Sequence, residues 1–296
     1  MKILVTGARG QLGREITECF SRGYTELGVP EVLKSDNEVI GLDVDGLDIT
    51  DLNAVTELFL KEKFDAVINC AAYTNVNKCE SERELAFKVN AVGPRNLAIA
   101  CDKIGAKLLH VSTDYVFAGD GDTPYVEWDI CQPASVYGNT KYLGECYIRE
   151  FSSKYFIVRT AWLYGYYGGN FVKTMMRIAR EQGSCKVVCD QRGNPTNAAD
   201  LAHHILKLIS TEEYGIYHGT GEGECSWFEF TEKIVEYAGI DATVNPCTTE
   251  EYPTPAKRPA YSSLDNMMLR ATVGNEFREW KAALKCFIEK EKNIES

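Results

Sequence analysis

The sequence lacks the features that define several protein classes. Its 296 residues carry a net charge of -11 and no run of lysine or arginine, which argues against a nucleic-acid partner. No apolar stretch approaches the length of a membrane span, and the opening MKILVTGARG is too short an apolar run for a signal peptide. The eleven cysteines form no C-x-x-C pair, so we interpret most of them as reduced packing residues. Together these absences predict a cytoplasmic protein without a membrane or nucleic-acid partner.

Short β-branched runs alternate with amphipathic helical patterns along the chain. These runs occupy residues 2–6, 38–42, 65–70, 107–112, 155–160, 186–189 and 215–218. Strands that are apolar on both faces and separated by helices are typical of a parallel sheet covered on both sides. The sequence therefore predicts a doubly wound α/β fold of the Rossmann type.

The alternation becomes irregular after about residue 165, where Tyr, Gly, Asn and Pro accumulate. We predict a dinucleotide-binding Rossmann domain over residues 1–165 and a smaller, mostly substrate-binding C-terminal lobe over residues 166–296. The boundary is not expected to be clean, because the runs at 186–189 and 215–218 have the composition of further strands of the same sheet.

The first strand leads directly into a glycine-rich turn, VTGARGQLG, at the opening of a helix. The turn places Gly7, Gly10 and Gly13 where a backbone must bend tightly and approach a pyrophosphate, whose charge is stabilised by the helix N-terminus. A glycine triplet alone is weak evidence. At the first strand of an alternating α/β chain, however, it strongly indicates a dinucleotide cofactor.

Two charged residues bear on the choice of dinucleotide. Asp43 ends the second strand, where a carboxylate accepts hydrogen bonds from the adenosine ribose and repels a 2′-phosphate, favouring NADH. Arg9, in the glycine turn, would tolerate the extra phosphate of NADPH. Asp48 either reaches the adenine amino group or caps its own loop. We expect NADH as the cofactor, with NADPH also accepted.

Five motifs, in this order, make the chain resemble the extended short-chain dehydrogenase/reductase family. They are the glycine triplet, CAAYT at 70–74, VSTDYVF at 111–117, YGNTK at 137–141 and RTAWLYG at 159–165. Later segments narrow the resemblance to the dTDP-4-dehydrorhamnose reductase family: GGNF at 168–171, VCDQRGNPT at 188–196 and YPTPAKRPAYSSLD at 252–265. The resemblance covers nearly the whole chain. It implies reduction of the C4 ketone of dTDP-4-dehydro-L-rhamnose in cell-surface polysaccharide synthesis.

Within this resemblance, Tyr137 and Lys141 become a catalytic pair. They stand four residues apart in a predicted helix, so both polar heads reach one volume. Tyrosine would protonate the nascent alkoxide, and the ammonium would lower the tyrosine pKa while holding the nicotinamide ribose. Thr113, at the end of the fourth strand, would hydrogen-bond the substrate oxygen. None of the four histidines is assigned a catalytic role.

The resemblance also implies two sets of contact residues. The set for the dinucleotide is Gly7, Arg9, Gly10, Gln11, Leu12, Gly13, Asp43, Asp48, Ala71, Ala72, Tyr73, Tyr137 and Lys141. The set for the sugar nucleotide is Thr113, Asp114, Tyr115, Trp162, Asn170, Gln191 and Arg258. Among these, Arg258 is the expected diphosphate clamp, because a guanidinium fork matches phosphate oxygens.

The sequence differs from related enzymes at two places that bear on its reaction and its oligomeric state. Related 4,6-dehydratases carry a glutamate where this chain has Tyr115, which favours a reductase that does not eliminate water. Some relatives dimerise through magnesium held by glutamates. Glu15 suits the first of these positions, but residues 198–200 are Ala, Ala and Asp where the second is needed. We therefore expect no bound metal and a monomer or weak homodimer.

Two alternatives remain open at this stage. The first is a reductase of another dTDP-4-keto-6-deoxy sugar, since the stereochemistry at C4 depends on how the sugar is rotated over the nicotinamide. The second is a non-catalytic regulatory subunit like that of methionine adenosyltransferase. The presence of Thr113, Tyr137 and Lys141 favours an enzyme.

Overall fold

A computed structural model describes the backbone of residues 1–295 and the side chains of residues 1–292. Its strands are β1 Lys2–Thr6, β2 Glu38–Leu42, β3 Ala66–Asn69, β4 Lys107–Thr113, β5 Tyr155–Thr160, β6 Leu163–Tyr164, β7 Ser184–Val188, β8 Arg192–Gly193, β9 Thr196–Asn197, β10 Gly215–His218, β11 Cys225–Ser226 and β12 Thr243–Cys247. Its α-helices are α1 Gln11–Arg22, α2 Leu52–Glu62, α3 Val76–Ser81, α4 Arg83–Phe87, α5 Gly93–Ile104, α6 Val136–Phe151, α7 Phe171–Gln182, α8 Ala198–Ile209, α9 Trp227–Ala238, α10 Met267–Ala271 and α11 Trp280–Glu295. Short 3₁₀ turns occupy Glu31–Lys34 and Asp114–Val116, and a π-helical turn occupies Lys88–Val92.

The central sheet has six parallel strands in the order β10-β5-β4-β3-β1-β2. All four residues of β3 are buried, as a strand covered on both faces requires. The chain passes from β1 to β2 on one side and returns with β3 on the other. The loops after β1 and β3 therefore diverge at the switch point where α/β proteins bind nucleotides. The predicted doubly wound fold is confirmed.

Helices cover both faces of the sheet and form separate apolar layers. On one face, α1 and α8 bury residues such as Ile16 and Leu201 against β1. On the other face, α2 and α5 bury Phe59 and Leu97 against β3 and β4. Because α8 and β10 come from the C-terminal half of the chain, that half completes the core of the sheet. The division at residue 165 stays a prediction.

The run at 186–189 does not join the central sheet, so that prediction is wrong. β7 pairs with β12 in a separate two-stranded parallel sheet, and Cys189 follows the strand. Only alternate residues of β7 are fully buried, whereas a central strand needs two apolar faces. The run at 215–218, in contrast, is β10, which pairs with β5 at the edge of the central sheet.

A second apolar cluster lies outside the sheet layers, where α7, α9 and α11 pack together. Phe230 and Phe287 are its fully buried aromatic residues, and Tyr164 joins them from β6. This cluster supports one wall of the substrate-side cavity described below. Among residues 1–295, no helix combines the length and apolar content that a bilayer crossing requires.

Candidate active site

The turn between β1 and α1 can pack this tightly only because it is rich in glycine. Gly7 has a φ of +68°, and a Cβ there would lie 2.7 Å from the backbone nitrogen of Ala71. A Cβ on Gly13 would lie 2.2 Å from the carbonyl oxygen of Gly7. Gly10 is the N-cap of α1 and contributes no side-chain cap to the helix start. The turn therefore fits the pyrophosphate of a dinucleotide.

A cavity of about 360 Å³ adjoins this turn at the switch point. The predicted cofactor residues that line it are Gly7, Gly10, Asp43, Asp48, Ala71 and Ala72. Asp43 is held in place by Arg9, whose backbone N–H and Nε both donate to Oδ2, at 2.8 and 3.1 Å. Arg9 also donates to Asp45 at 2.5 Å. Two carboxylates thus face one guanidinium where the adenosine ribose is expected.

Several predicted cofactor side chains have other partners in the structure. Gln11 donates to the carbonyl of Leu163 and accepts from Asn170, so its amide joins α1 to the segment after β6. Leu12 is buried in the sheet core. The Tyr73 hydroxyl donates to Glu82. None of these three residues lines the cavity beside the glycine turn. Asp48 similarly uses Oδ1 to accept from Thr50, as a loop carboxylate.

The predicted catalytic hydroxyls meet at the carboxyl end of β4. Thr113 ends this strand, and its Oγ1 donates to Asp114 at 2.8 Å and accepts from the Tyr115 backbone at 3.2 Å. Ser135 caps α6 by accepting from Gly138, which places Tyr137 in the first helical turn. The rings of Tyr115 and Tyr137 then pack edge to face, with centroids 5.4 Å apart.

Burial dominates the electrostatics of these groups. It raises the pKa of Tyr137 above its ordinary value, and the nearby Thr113 side chain opposes the rise. Burial also raises the pKa of Asp114 to about 6, against the hydrogen bond that Thr113 donates to Oδ1. Asp114 Oδ2 is buried without a protein partner among the described residues. A polar atom of this site therefore remains for a ligand to satisfy.

In this structure the polar end of the Lys141 side chain contacts β4, and the predicted action of Lys141 on Tyr137 stays a prediction. Its Nζ donates to the Val111 carbonyl at 2.7 Å and lies 3.1 Å from Nε2 of His110. Burial lowers the pKa of Lys141 to about 8. The pKa of Tyr137 is raised by burial, and Lys141 is not among the main groups that shift it. The two residues still lie one helical turn apart on α6, as their spacing required.

A second cavity, of about 340 Å³, begins at Tyr115 and extends under α7 and α9. Tyr115, Gln191 and Arg258, all predicted substrate contacts, are among its lining residues. Arg258 donates to the Tyr115 hydroxyl at 2.9 Å and to Asn77 Oδ1 at 3.1 Å. Gln191 donates to Thr249 at 3.0 Å, which leaves its carbonyl oxygen for a ligand.

Two predicted substrate contacts are placed differently by the structure. Trp162 has a φ of +48° and stacks face to face on Trp227, with ring centroids 3.5 Å apart. Trp227 lines the cavity, whereas Trp162 supports it from behind. Asn170 caps α7 by accepting from Lys173, and its Nδ2 donates to Gln11 and Gly165. These bonds give the Asn170 amide a structural role at the start of α7, and its contact with substrate stays a prediction.

The family comparison agrees with this geometry. The family described as RmlD substrate binding domain matches residues 1–293. The chain belongs to this family. A crystal structure of a dTDP-4-dehydrorhamnose reductase from Clostridium acetobutylicum is 49% identical, covers 99% of this chain and 100% of that chain, and has a TM-score of 0.93. The resemblance stated from the motifs is confirmed.

Two further RmlD relatives cover nearly the whole chain. A crystal structure of the dTDP-4-dehydrorhamnose reductase from Bacillus anthracis, in complex with NADP, is 42% identical with a TM-score of 0.91, and the match covers 98% of this chain and 99% of that one. The dTDP-4-dehydrorhamnose reductase of Aggregatibacter actinomycetemcomitans is 40% identical over 96% of this chain and 97% of its own length.

Several residues of this RmlD site were missed by the sequence analysis. The missed lining residues of the 340 Å³ cavity include Phe171, Lys186, Trp227 and Tyr252. They come from α7, β7, α9 and a late loop, and no local pattern connects them. Asn90, in the π-helical turn, was also missed. Its side chain bonds both the N–H and the carbonyl of Tyr73. The one available signal was that an asparagine inside a helical pattern calls for a specific partner.

A third cavity, of about 630 Å³, lies elsewhere. It is an open groove between the loop at 27–31, α8 and residues 272–276. None of the predicted site residues lines it. Predicted cofactor and substrate residues line the two smaller cavities instead.

Proposed function

We propose that this protein reduces the C4 ketone of dTDP-4-dehydro-L-rhamnose with NADH or NADPH and releases dTDP-L-rhamnose. The observation that supports it best is the position of the pair on α6. Lys141 lies close to Cys70, which lines the cavity beside the glycine turn. Tyr137 packs against Tyr115, which lines the other cavity. The proton donor thus stands where a cofactor and a sugar nucleotide would meet.

The residues around the glycine turn would hold the dinucleotide. Gly7, Gly10 and Gly13 admit the pyrophosphate to the start of α1, and Asp43 faces the adenosine ribose. Arg9, between Asp43 and Asp45, gives the site one cation for the 2′-phosphate of NADPH. When bound, the nicotinamide would supply the hydride that adds to C4 of the sugar. The structure of the Bacillus anthracis relative with NADP supports NADPH as a second cofactor.

Tyr137 would donate the proton to the C4 oxygen. Its raised pKa keeps the phenol protonated at neutral pH, as a general acid must be before the transfer. The Thr113 hydroxyl, which lies near the Tyr137 side chain, would position the ketone oxygen beside it. Lys141, once protonated, would hold the nicotinamide ribose hydroxyls and stabilise the phenolate left behind.

Arg258 would bind the diphosphate of the sugar nucleotide. Its contacts among the described residues are with neutral groups, the Tyr115 hydroxyl and Asn77, so no carboxylate neutralises its charge. A guanidinium free of carboxylates and lining a cavity is suited to two phosphate oxygens. The aromatic walls formed by Trp227 and Tyr252 offer flat surfaces for the base.

The direct experiment is to follow NADH and NADPH oxidation when purified protein receives dTDP-4-dehydro-L-rhamnose. NMR of the product should identify dTDP-L-rhamnose. A parallel incubation with dTDP-glucose and NAD⁺ should give no 4-keto-6-deoxy sugar, because Tyr115 stands where a dehydratase has glutamate. If neither NADH nor NADPH is oxidised, the result would contradict an enzymatic function and favour a regulatory subunit. Formation of the keto sugar would contradict the reductase.

A panel of keto sugars then tests the identity of the substrate. The 4-keto-6-deoxy sugars linked to dTDP, UDP and GDP differ in the base that they present to the second cavity. They also differ in the sugar ring that must be oriented over the nicotinamide. We expect the highest kcat/KM for dTDP-4-dehydro-L-rhamnose. Faster reduction of another member would move the assignment to that sugar. A monomeric or weakly dimeric state and a cytoplasmic location stay predictions of the sequence.

A further inference from the structure

A line of buried polar residues crosses the central sheet and ends at Lys141. Thr6, Asn69 and His110 are register partners on the adjacent parallel strands β1, β3 and β4. Their exposed fractions are 2%, 1% and 0%. Thr6 donates to Asn69 Oδ1 at 2.7 Å, Asn69 Nδ2 lies 2.9 Å from His110 Nδ1, and His110 Nε2 lies 3.1 Å from Lys141 Nζ. Such a line inside a sheet core needs an explanation, because buried polar groups are costly unless paired.

The backbone fixes the direction of these hydrogen bonds. The Ala71 N–H lies 3.1 Å from Asn69 Oδ1 and can only donate, so the atom facing it must be the amide oxygen. The Asn69 NH₂ then faces His110 and can only donate to Nδ1. A neutral imidazole that accepts at Nδ1 carries its proton on Nε2. His110 is neutral, because burial and the nearby Lys141 hold its pKa well below the ordinary value.

This tautomer points an N–H at the lysine nitrogen. An ammonium has three donors and no lone pair, so it cannot accept a hydrogen bond from Nε2. A neutral amine can accept this bond while donating to the Val111 carbonyl at 2.7 Å. We propose that His110 is a positioning residue whose Nε2–H favours the neutral amine of Lys141, so that the Thr6–Asn69–His110 line sets the protonation state of that lysine.

A neighbouring carboxylate acts on Lys141 in the opposite direction. Glu145, one turn further along α6, raises the pKa of Lys141, while burial lowers it. The Cys70 thiol after β3 also lies near Lys141, but it is uncharged in this pH range because burial raises its own pKa to about 12. Glu145 is shared with Arg159 of β5, which it meets at 2.8 Å, and with Ser112 of β4. Its charge is therefore largely neutralised, which leaves burial and the His110 contact to favour the amine.

The inference rests on the proposed role of Lys141 in holding the nicotinamide ribose. It adds that cofactor binding is coupled to protonation of this lysine. If the ribose is held by the ammonium, cofactor binding above the pKa of Lys141 must take up a proton. Affinity for NADPH should then decline as pH rises through that pKa. The polar line would make binding, and hence reduction, sensitive to pH in the range just above neutrality.

The first test reads the histidine tautomer in the unmodified protein without cofactor or sugar. A long-range proton–nitrogen NMR spectrum of protein labelled with ¹⁵N-histidine reports which ring nitrogen bears the proton. We expect His110 to carry it on Nε2 at neutral pH, assigned by the loss of its signals in His110→Phe. A proton on Nδ1 would overturn the proposal, because Nε2 would then accept from an ammonium.

The second test reads the lysine itself. Lysine labelled at Cε is titrated by NMR, with Lys141 identified by its disappearance in Lys141→Met. In His110→Phe, which keeps a ring of similar volume, loss of the donor should raise the pKa of Lys141 by roughly 0.5–1 unit, the worth of one net hydrogen bond. A fall means that His110 accepts from the ammonium, and no change means that the contact is passive. Either result contradicts the proposal.

Two further variants keep the test decisive. Asn69→Leu removes the donor that fixes the tautomer, so it should also raise the Lys141 pKa, and it replaces His110→Phe if that variant does not fold. His203→Gln is the matched control, since this buried histidine of α8 bonds Thr25 and Glu276 and should leave Lys141 unchanged. Failure of the keto-sugar assay would contradict the proposed function without changing either NMR result, so the two failures are distinguishable.

Discussion

The two ends of the site are built in different ways. At the cofactor end, Gly7, Gly10 and Gly13 lie within seven consecutive residues, and the residues that complete the cavity follow β2 and β3 directly. At the sugar-nucleotide end, the lining runs from Tyr115 to Arg258 and draws on α7, β7 and α9 between them. The first end is encoded by local sequence, and the second is assembled by packing. Variants of the two ends should therefore separate cofactor binding from substrate binding.

The largest effect is expected at the junction of the two ends. Tyr137→Phe removes one hydroxyl and keeps the ring that packs on Tyr115. Turnover should fall by roughly 10²–10⁴, the contribution of a positioned general acid, while NADPH and sugar-nucleotide affinity stay close to wild type. Single-turnover measurements of NADPH oxidation, with circular dichroism to confirm folding, check this.

Tyr115→Phe is the matched control for that loss, because it also removes one phenolic hydroxyl from the same ring pair. It deletes the hydroxyl that accepts from Arg258, so its main effect should be on the KM of the sugar nucleotide. If Tyr115→Phe loses turnover and Tyr137→Phe keeps it, the proton comes from Tyr115. The division of roles between the two rings would then be reversed.

The next largest effect should be confined to the cofactor end. In Gly13→Ala the new methyl group would lie 2.2 Å from the Gly7 carbonyl, so the turn must move. Overpacking costs about 1–3 kcal/mol, and we expect NADPH affinity to fall by up to about a hundredfold while sugar-nucleotide affinity is retained. Fluorescence titration with NADPH measures the first, and calorimetry with dTDP measures the second.

Gly169→Ala is the control for this variant, since a Cβ there meets nothing within 4 Å. It should bind NADPH as wild type does. Equal losses in the two variants would mean that the turn is not the cofactor site. Loss of dTDP binding in Gly13→Ala would mean that the two ends are not separable.

A comparable but smaller effect should appear at the sugar-nucleotide end. Arg258→Ala removes a guanidinium that has no carboxylate partner among the described residues. The KM for the dTDP-sugar should rise by about one to two orders of magnitude, since a hydrogen bond to a charged group is worth about 1.5–3 kcal/mol. NADPH affinity should hardly change. Arg177→Ala, on α7 and paired with Glu181, is the control and should leave KM unchanged. Normal sugar-nucleotide KM in Arg258→Ala would exclude the clamp.

The smallest effect concerns the choice between NADH and NADPH. Asp43→Ala removes a carboxylate near the adenosine ribose and releases the Arg9 guanidinium from one partner. The ratio of kcat/KM for NADPH over NADH should rise roughly fivefold, as two charges about 4 Å apart in water interact by about 1 kcal/mol. Asp45→Ala releases Arg9 but keeps Asp43, so it should change the ratio less. A wild-type protein that already prefers NADPH by a wide margin would remove Asp43 from this role.

The structure also separates the motif residues that touch a cavity from those that support one. Asn170 and Gln11 were selected through the resemblance, yet their side chains bond each other and join α7 to α1. Trp162 was selected as a sugar contact, and it lies behind Trp227. In each case the side chain is of a type that suits a ligand. A neighbour distant in sequence, however, determines its hydrogen bonds or its burial. A motif identifies the neighbourhood of a site more reliably than it assigns an individual side chain.

The sequence by itself determined the doubly wound fold, the glycine turn and the placement of Tyr137 and Lys141 on one helix face. These features depend on strand alternation, helix pitch and glycine stereochemistry, which act between neighbouring residues. Only the tertiary structure decided that β7 pairs with β12 and that Lys141 turns toward His110. Both depend on which strands lie side by side and in what register. A short apolar run or a single histidine contains no information about its partner across a sheet, because that partner is selected by the packing of the whole core.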